Sequence, residues 1–300
     1  TYVGTSATAV TNNIFLQTLR GETGQWDFLK GIMTMFNLVS MVDDTNKNNI
    51  LIEPYSDVFI KNTNSLDENN MTLASRSIEH DWTNKVDVSE MELKPLTDLN
   101  KNTIFKFVED DDDYCFNAYK MATSGGLYGS KEIDATTSTN GLPTILEGEE
   151  EIIAEPFAAT VVKPLQDFFP DFIIPSIYSV DDSGASEGFD NSPRILYDNG
   201  IQTLTSCTYT VPLQNGTPGV NNENEFSQFS HLSTIPINPQ TTEDFNFASN
   251  QLLYPLMQNG MPVKNLFNEY WLPYYGELYH PDTRIMTLKV NLSASDIAGF

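Results

Sequence analysis

Glu109–Asp113 is a run of consecutive acidic side chains, and it is the first place in this sequence where chemistry could concentrate. Carboxylates supply the hard oxygen ligands that Ca²⁺ takes. A calcium loop of the EF-hand kind needs acids at alternate positions, a Gly at the sixth and a Glu at the twelfth, and the run has none of that order. It reads as a solvated charged turn. Asp181-Asp182-Ser183-Gly184 fails the same test and reads as a turn. His80, His231 and His280 stand apart in the chain, with no HxxxH, HExxH or His/Cys spacing that would hold zinc. GxSxG, GxGxxG and P-loop motifs do not occur. A glycosidase pair needs only two carboxylates close in space, and among 41 acidic residues the sequence singles out none. The expectation is a protein that is not an enzyme and takes no metal or cofactor.

The other dense stretch is aromatic. Lys264–Tyr279, KNLFNEYWLPYYGELY, could be a sugar-binding platform or an anchor buried against neighbouring domains or subunits, since aromatic residues are enriched in both settings. The buried anchor is favoured. Interface cores lose charge and gain Tyr, Trp and Phe, and Phe168–Tyr178 fits that description too. Candidate subunit contacts are Phe172, Tyr178, Trp271, Tyr274 and Tyr275.

Composition narrows the partners. With 16 basic residues against 41 acidic, the net charge is −25, which repels phosphate backbones and anionic membranes. Sequence-specific nucleic-acid binding is not expected. No run reaches the roughly 18 apolar residues of a membrane helix. Cys115 and Cys207 lie far apart and read as free thiols, the intracellular pattern. The sequons at Asn70, Asn215 and Asn291 matter only in a eukaryotic secretory setting, which nothing else supports. The chain opens without Met or a signal pattern and stops directly after an expected strand, so a fragment of a longer protein is expected.

The elements that must position these residues begin with Gln25–Asp57. Phe28, Leu29, Ile32, Met33 and Phe36 build one apolar helical stripe, with Thr23 as N-cap and Asn37 as the left-handed terminator. Leu38–Val42 and Ile50–Glu53 then read as a hairpin closed by Pro54. Val86–Leu93 reads as a bulged strand, 104–108 as a strand, Tyr114–Met121 as a short helix ended by Gly125-Gly126, and Leu127–Gly129 as a strand. Beyond 145 the pattern is mostly β. Asn199-Gly200 marks a two-residue hairpin, Leu204–Val211 a strand and Gln214–Gln228 a mobile loop. Leu266, Phe267, Tyr270 and Trp271 share a helical face that Pro273 should break. Arg284–Leu292 is the last strand. The fold class is α+β, predominantly β, with small barrel- or sandwich-like domains and one prominent amphipathic helix before a hairpin. Three domains are expected, 1–100, 101–212 and 213–300.

At Phe28–Leu38 the chain resembles structural proteins of tailed bacteriophages, nearest to tail or baseplate-hub-like proteins of phages infecting marine and Bacteroidetes-type bacteria. The resemblance continues through Ile50–Asp57, Asp81–Asp87, Asp110–Tyr114 and Arg284–Asp296. It implies a virion protein assembled in the bacterial cytoplasm, whose β-rich domains pack by protein–protein contacts, with copies of itself in a ring and with other virion proteins. It also implies that further strands of a small barrel follow Arg284–Leu292. It carries over no active-site residue. The rival expectations are a secreted or surface-attached carbohydrate-binding module and a capsid-associated decoration protein.

Overall fold

Helix α1, Gln25–Met35, forms where the apolar spacing predicts it. It belongs to a computed structural model that describes residues 23–43, 46–59, 81–136, 146–164, 173–175, 179–180, 186–187, 192–205, 208–212, 220–249 and 260–298. The N-cap is Gly24 rather than Thr23, with no side-chain hydrogen bond, so Asp27 in the first turn is the only acidic support there. Asn37 ends the helix at φ 47°, as its tolerance of left-handed backbone predicts. Strands β1 (Leu38–Val42) and β2 (Ile50–Pro54) pair antiparallel in the expected hairpin.

The buried edge of α1 is rotated slightly from the predicted stripe. Gly31 and Met35 are its buried positions, Ile32 and Phe36 pack beside them, and Phe28 remains largely exposed. The reason is a close approach. A Cβ on Gly31 would collide with the Glu155 carbonyl and lie 2.7 Å from the Phe157 ring. Ala gains about 1 kcal/mol of helix propensity over Gly, but overpacking a core costs about 1–3 kcal/mol. Gly31→Ala is therefore expected to lower the melting temperature despite the better helix former. A raised melting temperature would show that the helix can move off the sheet.

Phe157 belongs to the central sheet. Strand β4 (Asn102–Val108) alternates Thr103, Phe105 and Phe107 inward with Ile104, Lys106 and Val108 outward. After helix α2 (Tyr114–Ala122), strand β5 (Lys131–Asp134) pairs antiparallel to one side of β4. Strand β6 (Glu149–Ala158) pairs parallel to the other, with an irregular register past Lys106. Leu127–Gly129, read as a strand, is a turn that places Tyr128 inside the protein.

The second half departs further from expectation. Asn199-Gly200 lies within strand Tyr197–Thr203, at a bulge in its pairing with Glu225–Ser230, and makes no hairpin. Gly200 supplies the positive φ, while Asn199 donates to the Leu232 and Ser233 carbonyls. Left-handed residues serve bulges as readily as turns. The predicted loop Gln214–Gln228 takes in the paired strand Val220–Glu223 and overlaps the paired strand Glu225–Ser230. Pro273 does not break its helix. A π-helical turn, Phe267–Trp271, precedes it, and the helix continues as Leu272–Leu278. Widening the turn accommodates the missing N–H and the ring of the proline.

The chain is thus a strand-rich α+β protein whose described strands form two- and three-stranded sheets without a closed barrel. Its main core draws on all three predicted segments: Met35 from the first, Phe105 and Phe157 from the second, Phe247, Phe267 and Tyr275 from the third. A smaller cluster joins Val162, Ile173, Leu232 and Ile237. Among the described residues no helix is long and apolar enough to cross a membrane.

Candidate functional site

The polar groups come first. The acidic run is not the solvated turn its composition suggests. Asp113 caps α2, its Oδ1 accepting from the Cys115 N–H at 2.9 Å and more weakly from Phe116. Its other oxygen lies 3.2 Å from Arg194 Nη2, which also donates to Asp110 Oδ2 at 2.9 Å. All three side chains are buried. Arg194 Nη1 donates to the Ala159 carbonyl at the end of β6, so the cluster ties α2 to the sheet. Burial pushes the Asp113 carboxyl above its ordinary range, against the pull of Arg194 and the two N–H donors. Glu109 is held below its ordinary value by Lys120, then by Lys106. Asp111 and Asp112 alone face solvent, as the turn reading requires. The carboxylates of Glu109, Asp110 and Asp113 are taken up by the chain's own cations and N–H groups, an arrangement that does structural work.

His231 is likewise structural. Its Nε2 meets the Tyr128 hydroxyl at 2.8 Å, and its Nδ1 meets Asp244 Oδ1 at 2.7 Å, with all three residues buried. Asp244 Oδ1 also accepts from the Asn246 N–H at 2.9 Å. Burial, then Asp244, push the Tyr128 phenol well above its ordinary value. The relay resembles an acid–base chain, but every member is buried, and it ties the turn carrying Tyr128 to the end of strand Glu225–Ser230 and to the short strand Glu243–Asp244. Sequence gave no warning of it, because its members are separated by 103 and 13 positions.

The predicted contact aromatics divide. Phe172 and Tyr178 lie outside the described residues. Tyr275 is 9 % exposed and stacks on Tyr279 at 4.1 Å. Trp271 is half-buried, its indole N–H donating to the Thr34 carbonyl at 3.0 Å and its ring 5.0 Å from Phe105. Tyr274 packs edge-on against Tyr55. Within the chain, Trp271 joins this helical segment to α1 and β4, and Tyr274 joins it to the short helix Tyr55–Phe59.

Exposed apolar surface lies elsewhere. Strand β3 (Glu92–Pro95) pairs with the strand Arg284–Thr287 in a two-stranded antiparallel ribbon. Beyond its end Val86 bridges Val290, and Lys85 pairs with Asp296 of the last helical turn at 2.5 Å. Every residue of both strands is exposed. Directly opposed residues share a face, so Met286 stands beside Leu93, and Ile285 beside Lys94. The alternation carries Met91 and Leu288 onto the Leu93 side. Met91, Leu93, Met286 and Leu288 are 50, 58, 57 and 41 % exposed. By the same register Pro95 and Arg284 fall on that side too, so this face is mostly apolar, bears one Arg and is not covered by the described residues, while the other, with Glu92, Lys94, Ile285 and Thr287, is mixed. The strand expected over Val86–Leu93 is mostly 3-10 turn, at Val88–Glu90, with the strand itself at Glu92–Pro95, and the one expected over Arg284–Leu292 spans Arg284–Thr287; their pairing has no local signal.

Compared with protein-family models, with curated proteins and with solved structures, the chain matches none.

Proposed function

We propose that this protein is a structural protein of a tailed-phage virion, working by protein–protein contacts in the tail or baseplate hub or in a ring around the tail axis. The observation that carries the reading is the uncovered apolar face of the ribbon. A two-stranded ribbon is marginal in water by itself and gains stability from a third strand or a packed face. Contiguous exposed apolar surface of this kind marks a binding or assembly surface more often than it marks a free one. In this reading an assembled neighbour supplies the cover that the remaining strands of a small barrel would otherwise give.

Other features agree. The recognisable polar clusters hold the fold together, and the resemblance to phage structural proteins runs through Arg284–Asp296, which contains one ribbon strand. A carbohydrate-binding module would need Trp271, Tyr274 and Tyr275 presented to solvent, whereas these rings pack within the chain. Mass spectrometry of purified particles from infected cells tests the proposal. The chain is expected at a fixed stoichiometry to the other virion proteins, and its absence from intact particles would overturn the reading.

A further inference from the structure

Asn followed by Gly is the dipeptide most prone to lose its side-chain amide, because glycine brings no side chain to shield its own nitrogen. The glycine nitrogen attacks Asn Cγ, a C–N bond forms, ammonia leaves, and water opens the resulting ring to aspartate or isoaspartate. At Asn199-Gly200 both reacting groups are held. Asn199 Nδ2 donates to the Leu232 carbonyl at 2.8 Å and the Ser233 carbonyl at 3.2 Å, and its Oδ1 accepts from Ser230 Oγ at 2.8 Å. The Gly200 N–H donates to Asp198 Oδ1 at 2.9 Å, and a carboxylate there opposes loss of the proton that the attack requires. Gln202 Nε2 donates to the Asn199 carbonyl at 3.0 Å and fixes the backbone between them.

We propose that Asn199 is a deamidation site that folding keeps closed, and that its intact amide latches the backbone after His231. The proposal goes beyond the assembly reading and does not depend on it. Leu232 and Ser233 follow His231 directly, and Leu232 is buried in the smaller core cluster. An amide suits this place because it offers two N–H donors to two carbonyls and an oxygen to a hydroxyl. An ionised aspartate only accepts, so it would strand both carbonyls and set its charge against them. Isoaspartate would also add a methylene to the main chain inside the strand paired with Glu225–Ser230. The change is one-way, because the ammonia leaves.

Peptide mass mapping of the full chain, aged at mildly alkaline pH with and without urea, is the test. In urea Asn199 should deamidate alongside Asn140 and Asn215, which also precede glycine. Without urea it should react at least about tenfold more slowly, because its three side-chain hydrogen bonds must open first. Asp198→Ala frees the Gly200 N–H and leaves the Asn199 amide contacts in place, so the ratio of folded to unfolded rate should rise. Asn199→Asp should melt below the parent at neutral pH. Part of that difference should close below the ordinary carboxylate value of about 4, where the protonated acid can again donate to one carbonyl. Equal folded and unfolded rates at Asn199, or an Asp198→Ala ratio identical to the parent's, would overturn the proposal. So would an Asn199→Asp chain as stable as the parent at neutral pH, or a deficit that does not change as the acid is protonated.

Discussion

Replacing Arg194 with Met should cost about 3–5 kcal/mol of folding stability, the range for removing one member of a buried ion cluster. Among the described residues the guanidinium is the only cation paired with Asp110 and Asp113, and both carboxylates stay buried when it is gone. Attraction within such a cluster does little more than offset the desolvation of its charges, so the loss comes from stranding them. The pH dependence gives a second signature. Burial already raises the Asp113 carboxyl, and without Arg194 it should rise further. A carboxyl whose folded pKa is raised adds stability when protonated, below its unfolded value, and loses it as pH rises through the folded value. The deficit of the variant relative to the parent should therefore be greatest near neutrality and shrink as the pH falls toward the ordinary carboxylate value of about 4. Paired urea titrations across that range would read it. A deficit under 1 kcal/mol, or one constant with pH, would mean that water or another donor satisfies the carboxylates.

His231→Leu is expected to have the next largest effect, about 2–5 kcal/mol. Leu is close in volume but leaves the Tyr128 hydroxyl and the Asp244 carboxylate buried without their imidazole. Asp244 Oδ2 already lacks a hydrogen-bond partner, and Oδ1 would keep only the Asn246 N–H. The double variant His231→Leu with Asp244→Leu should recover part of the loss, because it removes the stranded charge along with its partner. If the double variant is as unstable as the sum of the two single ones, the residues act independently and the relay is not a unit.

These two clusters also mark where sequence reasoning stopped. The helix at Gln25–Met35 and the hairpin behind it were legible because their signals are local: an apolar repeat, a left-handed Asn, and two β runs around a polar turn. Helix α2 was legible for the same reason, and its Asp113 cap could have been, since a short acid ahead of an amphipathic run is an N-cap signature. The partner that buries that acid lies 81 positions on, and no local pattern announces Arg194. Asn199-Gly200 and Pro273 misled because each residue type permits two outcomes, a bulge or a hairpin in one case, a π turn or a break in the other. Packing chose between them. The ribbon falls between these extremes. Its strands alternate visibly, but their pairing joins segments almost two hundred residues apart, so the exposed apolar face appears only once the chain is folded.

The central claim is that this face is covered when the protein does its work. Thiol labelling of Leu93→Cys, in a Cys207→Ser background, measures that directly in the isolated monomer and in purified particles. Cys115 is buried and should not contribute. Assembly through the ribbon predicts fast labelling of the dilute chain and strong protection in the particle. Equal labelling in the two states would contradict it.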